Sequence, residues 1–167
     1  VIVVPPEAEA QFYRLNNLSA RLESIFRGID LRDPDDEDIE DLAPEAHALV
    51  RGHYLLDEFI DAFYEQTAAL PDLVRVRRPG DEGFVSRRGR SSLLMLKSIW
   101  SGSWEFEALW ERLSRGEGLL PAPRAVLVHA APFGLLPTEV RRDAEALLGR
   151  NLVLHGSEAG IVGVADG

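Results

Sequence analysis

Cysteine is absent from the 167 residues, which excludes disulfide frameworks, thiol catalysis, zinc ribbons and iron–sulfur clusters together. No apolar run approaches the ~20 residues that a membrane span requires, and no secretory signal pattern opens the chain. A cytoplasmic protein without membrane contact is the expectation. The first residue is Val rather than Met, so a processed or trimmed start is expected. The glycine patterns that cradle phosphate are missing as well. The stretch from Ala130 to Pro137 has neither the Gly-x-Gly-x-x-Gly spacing of a dinucleotide fingerprint nor the Lys-Ser/Thr ending of a P-loop. Ser86 and Ser157 do not stand in a Gly-x-Ser-x-Gly elbow, and the acidic stretch around Asp35 lacks the glycine and spacing of an EF-hand loop. No cofactor and no metal is therefore expected.

What is present fits a globular chain. Apolar residues make up 46% and charged residues 28%, which excludes disordered and fibrous classes. The length suits a single domain, 1–167, with a helical half at 1–70 and an α/β half at 71–167.

Charge is unevenly distributed. The net value is −10, from 18 bases and 28 acids, so long-range attraction to nucleic acid is disfavoured. Nine acids against one base, Arg32, lie between Asp30 and Glu45. Residues 71–100 reverse the balance, with seven bases against three acids. Arg75, Arg77, Arg87 and Arg88 are the candidates there for gripping phosphate, because guanidinium matches its oxygens in pairs. Docking on an acidic segment of the same chain or of a second copy is the favoured use of this arginine face.

Periodicity divides the chain into elements. Val1 to Val4 is a β-branched stub closed by two prolines. Phe12, Leu15, Leu18, Leu22, Ile25, Phe26 and Ile29 recur at three and four, predicting one amphipathic helix from Glu7 to about Gly28. Because proline suits a first helical turn, the next helix is expected to start at Pro44 and run to about Ala69. Leu73 to Arg77 alternates with period two, Pro79 to Gly83 is turn chemistry, and Phe84 to Arg87 returns, so a hairpin is predicted. This alternation puts Arg75 and Arg77 on one face and Val74 and Val76 on the other. Ser91 to Trp100 fits a helix or a buried strand, and Trp104 to Arg115 reads as a helix. Of the three tryptophans, core positions are expected, with at least one of Trp104 and Trp110 partly exposed.

The last third reads as strand 124–129, helix 139–148 behind the N-cap Thr138, and strand 151–155. Strand, helix, strand over this distance is a βαβ unit with parallel strands. The fold class expected is thus α+β, with a helical N-terminal half packed on a mixed sheet and a C-terminal βαβ unit. His129 and His155 end its two strands, and neighbouring parallel strands would bring those ends within ~5 Å at the backbone. Open α/β sheets bind ligands there, which makes these two histidines the candidate catalytic pair.

Glu37-x-x-Glu40 and Glu58-x-x-Asp61 superficially resemble the paired acidic motif of MazG-like nucleotide pyrophosphohydrolases. That resemblance implies an all-α fold, whereas the second half of this chain is rich in β signals. Three functions follow in order of expectation. The first is a non-catalytic interaction or accessory protein that binds another macromolecule, a homodimer in which the long N-terminal helices supply the contact. The second is an enzyme or small-ligand domain with its site at His129 and His155. The third is a protein of nucleic-acid metabolism that touches phosphate through the arginine hairpin.

Overall fold

The computed structural model describes residues 1–131 in full and residues 152–157 and 160–166 as backbone. Where one long helix is expected after Pro5, the chain forms two. α1 spans Pro6–Leu15 and α2 spans Leu18–Ile25. Between them Asn17 takes a left-handed conformation, φ 51°, which Asn tolerates better than most residues. The Asn16 amide ties this break down by donating to the Phe12 carbonyl at 2.9 Å and to the Tyr54 carbonyl at 3.2 Å.

The second long helix is also divided, into α3 (Asp36–Gly52) and α4 (Asp57–Thr67). The expected start at Pro44 is corrected, because helix already forms in the acidic joint. The Asp35 carboxylate accepts from the Glu37 backbone N–H at 2.9 Å, and Asp36, Glu37 and Asp38 occupy the first turn. Negative charge there complements the helix dipole, and burial of Ile39, Ala43, Ala46 and Val50 along one stripe holds the helix through Pro44. Gly52 ends α3, and Leu56 precedes α4.

β2 (Leu73–Arg77) and β3 (Phe84–Arg87) form the expected hairpin, with Leu73 opposite Arg87 and Val76 opposite Phe84. Val74 and Val76 are fully buried while Arg75 and Arg77 lie on the other face. Gly83 closes the turn at φ 68°, where an added Cβ would collide with the Val76 carbonyl and Arg77. Gly83→Ala is therefore expected to cost at least about 1–2 kcal/mol from the left-handed conformation alone, with the backbone collision adding to it. A urea-denaturation midpoint unchanged by the substitution would refute this assignment.

α5 (Arg90–Gly102) resolves the ambiguity at 91–100 as a helix, and α6 (Phe106–Ser114) follows. β4 (Val126–Ala130) then enters the middle of a four-stranded sheet of order β1-β4-β2-β3, with β1 (Ile2–Val4) at its edge. All three pairings are antiparallel, so the expected mixed sheet is corrected to an antiparallel one. The helices cover the face that carries Val4, Val74, Val76, Val126 and Val128. Leu22, Phe26, Ile39, Leu96, Trp100, Trp104 and Leu109 fill the layer above it. The class is α+β.

The helix at 139–148 expected in the βαβ unit lies outside the described residues. β5 (Leu152–Ser157) and β6 (Gly160–Asp166) pair antiparallel with each other in a separate two-stranded sheet. Among the described residues no helix is long and apolar enough to cross a membrane.

Candidate functional site

Alternation along the strands places Arg75, Arg77, Arg87 and His129 on the sheet face opposite the helices, with Arg75 directly across from His129. Each has a partner. Arg75 donates to the Glu82 carbonyl at 2.9 Å, and Arg87 pairs with Asp72 at 3.0 Å in solvent. Arg88 lies beyond the strand, where its guanidinium donates to the Ala68 and Leu70 carbonyls and so caps the end of α4. Arg77 Nε donates to His129 Nε2 at 2.9 Å, and His129 Nδ1 lies 2.9 Å from the Ala130 carbonyl. These two bonds together specify a neutral imidazole that donates from Nδ1 and accepts at Nε2. Both ring nitrogens are occupied, which leaves no lone pair for a base.

His155 sits in β5, opposite Gly163. The hydrogen-bonded neighbours of β4 are β1 and β2, and β5 pairs with β6. The acidic pairs Glu37/Glu40 and Glu58/Asp61 stand on separate helices, α3 and α4. Among the described residues, no three His, Asp or Glu side chains gather as metal ligands.

A buried polar network was not anticipated. Glu9 on α1 is 1% exposed. Its two carboxylate oxygens accept from Arg78 Nη1 at 3.3 Å and Nη2 at 3.2 Å, and from the Arg124 backbone N–H at 3.1 Å. One helix turn on, the Tyr13 hydroxyl accepts from Trp104 Nε1 at 2.8 Å. Burial pushes the Tyr13 phenol up to about 12, with the Trp104 hydrogen bond opposing. The available signal was positional: Glu9 falls three residues before Phe12 and so joins the apolar stripe.

The two helix breaks create an apolar surface. They meet at the Asn16–Tyr54 bond, and the chain between α3 and α4 turns outward there, leaving the Tyr54 side chain 86% exposed. On one side of Tyr54 lies a cleft of about 220 Å³ walled by Phe12, Leu15, Leu56, Phe59 and Trp100. On the other is a shallow hollow formed by Ile60, Tyr64, Leu93 and Leu94. Leu15, Leu56, Tyr64 and Leu94 are all exposed large hydrophobics, so one apolar face runs across α4 from α1 to α5. Its rim carries charges of both signs, Asp57 on α4 and Arg90 and Lys97 on α5. Partial burial lowers the Lys97 pKa, and the Arg51 charge lowers it further. No family model matches the chain, and neither a curated protein nor a solved structure matches it.

Proposed function

We propose that the chain is a non-catalytic interaction protein that forms a homodimer through the apolar face around α4. The observation that supports this reading is the run of exposed large side chains Leu15, Tyr54, Leu56, Tyr64 and Leu94 across three helices. Scattered single hydrophobics are ordinary on a surface, whereas a continuous patch marks a contact site.

A second copy is the occupant because the rim is self-complementary. A two-fold interface brings each patch against itself, so acids must meet bases across the axis. Asp57, Glu58 and Asp61 on α4 are without ion-pair partners among the described residues, as are Arg51, Arg90 and Lys97 nearby. An acid from the other copy would relieve the repulsion between Lys97 and Arg51. Tyr54, aromatic and exposed beside an aromatic-walled cleft, has the character of an interface anchor.

Light scattering at micromolar concentration should give about 37 kDa, twice the 18.5 kDa chain. Tyr54→Ser combined with Leu94→Ser should return the mass to 18.5 kDa and keep a cooperative melt whose midpoint no longer rises with protein concentration, since exposed positions change the stability of the chain itself by only about 0.5 kcal/mol. A wild-type protein that is monomeric throughout this range would overturn the reading and leave the face to a different protein.

A further inference from the structure

The arginines singled out by alternation are all engaged within the chain, but a different set meets across a second cleft. Arg78 reaches it from the hairpin turn, Arg112 and Arg115 from the end of α6, and Arg124 from the connector before β4. These four face Glu111 and Glu117 around a space of about 230 Å³. In a chain of net charge −10, this is a local positive excess.

The four guanidinium groups differ in their partners. Arg78 is held by Glu9, and Arg115 pairs with Glu111 one turn back on the helix. Arg112 is 7% exposed, yet among the described residues no carboxylate touches it. Its bonds go to neutral carbonyls, Leu119 from Nε at 3.0 Å and Nη2 at 2.9 Å, and Ser103 from Nη1 at 2.8 Å. Trp104 lies under it at 5.1 Å. Burial works against its charge, with Tyr13 and Glu117 opposing from a distance. A guanidinium does not deprotonate in a protein, so the buried charge calls for a counter-charge. The Arg124 side chain has no hydrogen-bond or ion-pair partner among the described residues.

The end of α6 does not explain the cluster. A cation there complements the helix dipole, but Arg112 bonds to Ser103 and Leu119, which lie outside α6. Two of its five N–H donors stay uncommitted.

We propose that this cleft binds a phosphate-class oxyanion, with Arg112, Arg115 and Arg124 as its ligands. With Arg78 already compensated by Glu9, Arg112, Arg115 and Arg124 against Glu111 and Glu117 leave one positive charge, the sign an oxyanion needs, and the arginine fork fits its oxygens in pairs. The half-open space of about 230 Å³ has room for a phosphate group with a short organic tail. The site shares no residue with the apolar face around α4, so it stands independently of the dimer.

The test is calorimetric titration of the whole chain with inorganic phosphate, pyrophosphate and a nucleoside monophosphate at low salt. Saturable binding that weakens as salt rises is expected, and the ranking of the three probes identifies the source of the phosphate. Arg124 is exposed, so Arg124→Gln should fold normally and weaken binding about tenfold or more, the effect of losing one charge-assisted hydrogen bond. Arg124→Lys should retain part of the affinity. Arg75→Gln on the sheet face and Tyr54→Ser on the apolar face should both bind like the wild type. Absence of binding to all three probes, or equal affinity in Arg124→Gln and wild type, would overturn the proposal.

Discussion

Replacing Arg78 by Met is expected to destabilise the fold by about 3–5 kcal/mol, because it leaves the Glu9 carboxylate buried without a counter-charge. Glu9 is 1% and Arg78 7% exposed, so water does not readily substitute for the lost partner. The ion pair joins α1 to the hairpin turn, and two further bonds draw in the connector. Arg124 donates its backbone N–H to Glu9 at 3.1 Å, and its carbonyl accepts from Arg78 Nη1 at 3.1 Å. Denaturation should show a lowered midpoint with an unchanged slope, since the change is in stability rather than in the extent of unfolding. The double variant Glu9→Leu/Arg78→Met should recover part of the loss, as apolar replacements of buried ion pairs do. Recovery should be incomplete because the backbone N–H and carbonyl of Arg124 then lose their partners. A loss below about 1 kcal/mol in Arg78→Met, the range of an exposed ion pair, would show that the pair is solvated rather than a buried clasp.

The second large effect is alkaline. Burial holds the Tyr13 phenol neutral in the folded chain to about pH 12, against 10.0 for an ordinary tyrosine. Below the lower value both states keep the proton, and the full stability is present. Between the two values the unfolded chain releases a proton that the folded chain retains, so stability falls as pH rises. Over this window the loss is about 2–3 kcal/mol. Other groups titrate in the same range, and comparison with Tyr13→Phe isolates the contribution. That variant begins less stable, because Trp104 Nε1 loses its acceptor, but its stability should fall less between the two pH values. The phenolate absorbance missing from the variant should be the one that rises near pH 12 in wild type. Parallel stability curves for the two proteins would mean that Tyr13 ionises like a solvated phenol.

Features decided by neighbouring residues were legible in the sequence. Val74 and Val76 alternate with Arg75 and Arg77, and the hairpin follows that alternation because successive strand side chains point to opposite faces. Turn residues between Pro79 and Gly83 set its register. Of the first apolar stripe, Phe12, Leu18, Leu22 and Phe26 are buried as their spacing implied, whereas Leu15, beside the break, is exposed. The α+β class followed from helical periods giving way to strand periods.

The breaks themselves depended on the rest of the molecule. Asn16 and Asn17 permit a turn, but what holds it is a bond from Asn16 to Tyr54, thirty-eight residues away. Without that break the expected helix would run straight past the site, and the apolar face across α4 would not form. Antiparallel pairing of β4 with both β1 and β2 was equally out of reach, because strand periodicity carries no information about partner or direction. The candidate phosphate cleft is the clearest case. Its arginines come from the hairpin turn, α6 and a proline-rich connector, segments that lie far apart in sequence. Local pattern thus determined which residues face inward and what each segment tends to form. Only the packing of distant segments decided which charges meet, because burial and Coulomb interaction depend on distance in space rather than along the chain.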